Sequence, residues 1–120
     1  MGTDLTVREQ VDFRTDSKGR MCYTVVELFN FRPFAHVILD HLGIEMTNCS
    51  TVAVDAMDFK NCLQSMKDTL SFVEHDGESR LNQDHELERA IEYLEDFIED
   101  NDLNEVEDYG ERTFEVHLWY

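Results

Sequence analysis

The apolar positions of the chain change period several times, and each change marks a new element. Over residues 5–15, Leu5, Val7, Val11 and Phe13 keep the two-residue period of a strand, with Glu9 breaking the set. The run Asp16-Ser17-Lys18-Gly19 is a turn signal, Gly19 being free to take positive φ. Residues 20–31 carry Tyr23, Val25, Val26, Leu28 and Phe29 and are apolar on both faces. That pattern predicts a strand in the middle of a sheet, joined to the first as a hairpin. Pro33 suits the first turn of a helix with apolar positions Phe34, Val37, Ile38 and Leu42, which Gly43 caps at its C-terminus.

A short strand is expected at 50–54. Asp55 or Asp58 then caps a helix whose apolar face is Phe59, Cys62, Leu63, Met66, Leu70 and Val73. Residues 75–83 form a polar loop containing Gly77. A third helix starts near Asn82 or Asp84 and runs to about Asp100, with Leu87, Ala90, Ile91, Leu94 and Ile98 as its buried stripe. After an acidic connection at 102–110, residues 112–120 close the chain as a strand. Phe114, Val116, Leu118 and Tyr120 share one face of it; Glu115, His117 and Trp119 share the other. The order ββαβααβ predicts a single two-layer α+β domain over residues 1–120, a mainly antiparallel sheet with helices on one face.

Charge changes this picture more than composition does. Hydrophobic residues make up 42% of the 120 positions, enough for a core, yet the net charge is −17. The excess is uneven: residues 1–32 are neutral, 33–83 carry −5, and 84–120 carry −12. Such a chain repels nucleic acid and anionic membrane surfaces and attracts cationic proteins. No apolar run approaches the ~20 residues of a membrane helix, and the N-terminus lacks the pattern of a signal peptide. Cys22, Cys49 and Cys62 are an odd set without CxxC spacing, which points to reduced thiols in the cytoplasm and away from a disulfide framework or structural zinc. Asn48-Cys49-Ser50 matches a glycosylation acceptor only by chance in that setting.

On the third helix, at about 100° per residue, Asp84, Glu88, Glu92, Glu95 and Glu99 lie within about 40° of one line, roughly 120° from the apolar stripe. Glu86, Asp96 and Asp100 add charge around it, and Arg89 is the only base between Asp84 and Glu111. Like charges at i,i+4 destabilise a helix by roughly 0.2–0.5 kcal/mol per pair, so stability alone does not favour this arrangement. Eight acids over 84–100 occupy a rod of about 25 Å, one per ~3 Å, against ~3.4 Å per phosphate along one DNA strand. At the level of class, a small acidic domain with such a ridge resembles phage-encoded inhibitors that imitate DNA, among them anti-restriction and anti-CRISPR proteins. The resemblance implies a non-enzymatic inhibitor, without cofactor, that binds a basic nucleic-acid-binding protein. The expected contact set is Asp84, Glu88, Glu92, Glu95, Asp96 and Glu99, continued by Asp102, Glu105 and Asp108, with Phe97, Tyr109 and Trp119 as apolar anchors.

Other assignments compete with it. The ridge can be a solvated face that serves solubility alone, or the partner of an acidic accessory protein can use the hairpin or the last strand. Residues 100–104 (Asp-Asn-Asp-Leu-Asn), with Asp108 and Glu111 at the ninth and twelfth places, match part of an EF-hand calcium loop. Glu105, however, stands where that loop requires glycine, Glu107 takes the apolar eighth place, and a strand follows. Cys62 lies on an apolar face, and no GxSxG, Walker, GxGxxG or HExxH motif is present. Arg14, Lys18 and Arg20 surround the first turn, interrupted by Asp12 and Asp16. They make a near-neutral hairpin tip suited to the acidic end of a second copy.

Overall fold

The computed structural model describes residues 4–45, 47, 49–76 and 86–119. Strands β1 (Asp4–Thr15) and β2 (Met21–Asn30) form the hairpin. A 3-10 turn at Arg32–Phe34 leads into helix α1 (Ala35–Leu42). Strand β3 (Thr51–Asp55) runs straight into helix α2 (Ala56–Asp76). Helix α3 (Glu86–Asp100), a second 3-10 turn at Leu103–Glu105 and strand β4 (Thr113–Trp119) complete the fold. The sheet is antiparallel throughout, in the order β2-β1-β4-β3, and the helices pack on one of its faces. The domain is α+β.

Local chemistry sets the boundaries. Asp16 accepts hydrogen bonds from the backbone amides of Lys18 (2.9 Å) and Arg20 (2.8 Å) and from Arg20 Nε (3.0 Å), while Gly19 takes φ 78°. These bonds stabilise the carboxylate and hold the Asp16 pKa below its ordinary value, the Arg20 amide contributing most. Gly43 ends α1 in the left-handed region at φ 71°. At the start of α2 both candidate caps act together. The Asp58 amide donates to Asp55 Oδ1 (3.0 Å), and the Asp55 amide donates to Asp58 Oδ2 (2.9 Å), a reciprocal capping box.

Three expectations are corrected. Strand β2 is an edge strand, not a central one. Its apolar residues do not reflect burial on both faces: β1 pairs with β4 only over Asp4–Glu9, and farther out β1 and β2 have only each other. From Asp12 to Glu27 every residue is exposed except the half-buried Asp16 and Cys22. The second correction concerns the polar loop, because α2 extends to Asp76 and takes in its first residues. The rest of that loop, the helix starts at Asn82 or Asp84, and Tyr120 lie outside the described residues. Third, Phe97 is core, not an anchor, at 1% exposure.

The core explains why α3 stays in place. Leu87, Ala90, Ile91, Leu94, Phe97 and Ile98 are all buried. Phe97 meets Phe31 and Phe59 edge-on, with centroids 5.4 and 5.2 Å apart, and lies 6.0 Å from Phe29. Phe59 in turn meets Phe114 of β4 at 5.6 Å and 85°. These contacts join α2, α3 and the sheet through one aromatic cluster. Replacing Phe97 with Ala is expected to lower stability by about 3–5 kcal/mol in urea denaturation. The same change at the exposed Phe72 should shift it by less than about 0.5 kcal/mol.

Candidate functional site

Helix α3 divides its surface into three strips. Its buried stripe faces the sheet. On the α2 side stand Glu88, half-buried, and the exposed Glu92, Glu95 and Glu99. Glu95 and Glu99 line a groove of about 160 Å³ with Leu63, Lys67, Ile98 and Asn104. On the other side stand Arg89, Tyr93, Asp96 and Asp100, all exposed. Tyr93 touches Phe34 (5.0 Å) and Phe29 (6.2 Å), which fixes this strip beside β2.

Few cations neutralise these acids. Lys67 Nζ lies 3.8 Å from Glu95 Oε2, both ends being about half exposed, an arrangement that contributes little in water. Among the described residues, Glu92, Asp96, Glu99 and Asp100 have no ion-pair partner.

The connection to β4 continues the acidic surface. Asp102 sits at φ 57°, and Asp102, Glu105, Asp108 and Tyr109 are exposed, while Leu103 and Val106 turn inward. The backbone here is occupied by structural bonds. Asn101 Nδ2 donates to the Phe97 carbonyl (2.9 Å), Arg112 Nη1 to the Asn101 carbonyl (2.5 Å), and Lys60 Nζ to the Val106 carbonyl (2.7 Å). Among the described residues no three His, Cys, Asp or Glu side chains are grouped to hold a metal ion. Asp84 lies outside the described residues. Trp119 is exposed, but alternation places it on the sheet face opposite the helices, with His117 stacked 6.4 Å away. The structure therefore gathers Glu88 through Glu99 with the 102–109 segment and separates Trp119 from them.

Two features were missed in the sequence. Arg112 is a clamp: Nε and Nη2 donate to the two oxygens of Glu9 (2.7 and 2.6 Å), and the guanidinium lies 5.2 Å over the Phe114 ring. The hydrogen bonds to Glu9 hold the Arg112 pKa above its ordinary value, with Asp102 and Glu111 adding to the same field. On the outer sheet face, Tyr23 Oη (2.9 Å) and Gln10 Nε2 (3.0 Å) both donate to Glu115 Oε1. This raises the Tyr23 pKa, because a phenolate beside a carboxylate is disfavoured. Both features depend on cross-strand register, which residue spacing alone does not reveal.

A cavity of about 210 Å³ lies where the helices meet, lined by Val37, Asp40, His41, Thr69, Glu86 and Leu87. His41 Nδ1 bonds Ser65 Oγ at 2.9 Å. Burial holds the His41 pKa below the imidazole value, Asp40 opposing it. Cys62 is buried, donates weakly to the Ile38 carbonyl (3.7 Å), and has its thiol pushed up to about 12. It is an inert core group.

No helix among the described residues is long and apolar enough to cross a membrane. Compared with protein-family models, with curated proteins and with solved structures, the chain has no significant match in any of the three.

Two outcomes follow from these contacts. Arg112→Met leaves the Glu9 carboxylate without its bidentate partner at a site only 15% exposed, and should destabilise the fold by about 2–3 kcal/mol in chemical denaturation. The neutral His41 is favoured by folding, so its contribution is present above the unfolded imidazole pKa and fades as pH falls through it. Lowering the buffer from about pH 7.5 to about pH 5.5 should lower Tm more in the native chain than in His41→Gln, read by differential scanning calorimetry.

Proposed function

We propose that this protein is a non-enzymatic ligand for a cationic protein surface, and that the α2-side strip of α3 with the following turn is its docking element. The observation that supports the reading is mechanical. Six buried residues fix the helix, and Glu92, Glu95 and Glu99 stand in water with only the half-exposed Lys67, 3.8 Å from Glu95, paired to them among the described residues. A fixed row of charge binds a cationic groove with less ordering entropy than a flexible acidic tail would lose. Glu88, Glu92, Glu95 and Glu99 would meet Lys or Arg there, with Tyr109 as an apolar contact at the far end.

The finer form of the proposal is imitation of nucleic acid. Helix α3 has seven acids in 15 residues. At ~1.5 Å rise that is one charge per ~3 Å, near the phosphate repeat of a DNA strand. The partner would be the DNA-binding groove of a nuclease or a related cytoplasmic nucleic-acid-binding protein, and the effect inhibition by occupancy. A second reading, an accessory protein whose partner uses the hairpin or the last strand, draws on the apolar side chains those strands leave exposed.

The test is capture of basic nucleic-acid-binding proteins on the immobilised native chain, followed by competition with duplex DNA. Each of Glu92→Lys, Glu95→Lys and Glu99→Lys is expected to weaken binding by about tenfold, with affinity falling as salt rises. Capture of no such protein, or affinity unmoved by the triple reversal, would rule the proposal out.

A further inference from the structure

The outer part of the hairpin is not acidic. Residues 10–25 carry Arg14, Lys18 and Arg20 against Asp12 and Asp16, a net charge of +1, and the remainder of the chain carries −18. Its outer edge is open along the whole of β2. Natural edge strands are usually protected by lysine, proline or shortness. Strand β2 is 10 residues long, contains neither lysine nor proline, and has Glu27 as its single charge; its pairing with β1 is irregular at Leu28 and again between Val11 and Arg14. Its apolar side chains are turned to water: Met21 is 72% exposed, Tyr23 45%, Val25 39% and Val26 46%, with Phe13 of β1 packed on Tyr23 at 5.7 Å.

We propose that this edge binds a second copy of the same chain, β2 against β2 in antiparallel register about a two-fold axis near Val25 and Val26, so that two sheets become one. Charge decides the occupant. Nucleic acid is repelled by the body, and a cationic protein gains nothing from a ribbon that is itself slightly positive. A copy of this chain supplies what the ribbon tip lacks. Antiparallel pairing sets Lys18 and Arg20 of one copy beside the body end of the other's β2. That end carries Arg32, held 3.5 Å from Asp4, and Arg89 on the same strip of α3 as Asp96, so the attraction comes from the net charge of −18 outside residues 10–25 and not from a local acidic patch. The same geometry keeps the acidic bodies apart. They lie on opposite sides of the axis, each extending outward from the Glu9–Val26 pair where β4 leaves β1. A parallel or body-to-body dimer would bring them together.

Sedimentation equilibrium of the full chain at physiological salt should give twice the chain mass. Val26→Lys, which sets two lysines face to face at the axis, should raise the dimer dissociation constant by at least about tenfold with an unchanged circular dichroism spectrum. Lys18→Glu should weaken the dimer at low salt and lose its effect at high salt. Hydrogen exchange of the native chain gives a check independent of variants: β2 amides should gain protection with protein concentration and β3 amides should not. A chain that stays monomeric at all concentrations, a dimer indifferent to Val26→Lys, or protection that appears on β3 overturns the proposal.

Discussion

The edge-on packing of Phe97 against Phe31 and Phe59 is the contact on which the rest of the molecule depends. Helix α3 carries a surplus of carboxylates that repel one another, so its own propensity does not secure it. Its position comes from the apolar stripe opposite. That stripe meets an aromatic cluster extending from Phe29 of β2 to Phe114 of β4. Burial of one phenylalanine side chain contributes about 1.5–3 kcal/mol, several times the repulsion of one carboxylate pair. The charged face is therefore tolerated because the apolar face is strong, and the two faces cannot be understood separately.

A second constraint operates where the sheet narrows. Strand β1 loses β4 as a partner after Glu9, and at that residue Arg112 joins β1 to β4 and to the end of α3. On one side of this clamp lies a four-stranded sheet under helices. On the other lies a two-stranded ribbon, which has little independent stability. The clamp at its root and the Asp16 turn at its tip bound the ribbon at both ends, and between them Tyr23 and Gln10 tie it to Glu115 across the sheet. The net charge follows a similar boundary: residues 10–25 carry +1 and the remainder of the chain −18.

Much of this was legible in the residues because periodicity reports which face is buried. The two-residue period of β4 and the helical spacing of Leu87 through Ile98 led directly to the observed faces. Asp55 or Asp58 is the expected cap of α2, and the two cap it reciprocally. Each failure has its own physical cause. A strand with apolar residues on both faces reads as central, but an edge strand with exposed apolar side chains has the same pattern, and composition does not distinguish the two. Phe97 lies next to the predicted stripe on the helical wheel, so its place in the core depended on how wide that stripe was. The Arg112–Glu9 clamp joins residues about a hundred positions apart, and only strand register brings them together. The Trp119 assignment was right about alternation and wrong about company, since the sheet itself stands between that side chain and the acidic helix.

The two proposed surfaces share α3 without competing for it. At 100° per residue the helix directs Glu88, Glu92, Glu95 and Glu99 toward α2 and Asp96 away from the sheet, while Tyr93 lies beside Phe29 of β2. A ribbon tip from a second copy would lie on the β2 side and leave the row facing α2 in water. The dimer would then carry two acidic rows, each anchored by its own aromatic cluster and held apart by the joined hairpins. A cationic groove that engages one row gains from the second only if its own charges extend to it, so the spacing set by the ribbon becomes a selectivity filter on the partner's size. A single-copy acidic helix has no such filter, because charge alone does not discriminate among basic surfaces. On this argument the apolar ribbon contributes to specificity, and the acidic helix contributes to attraction.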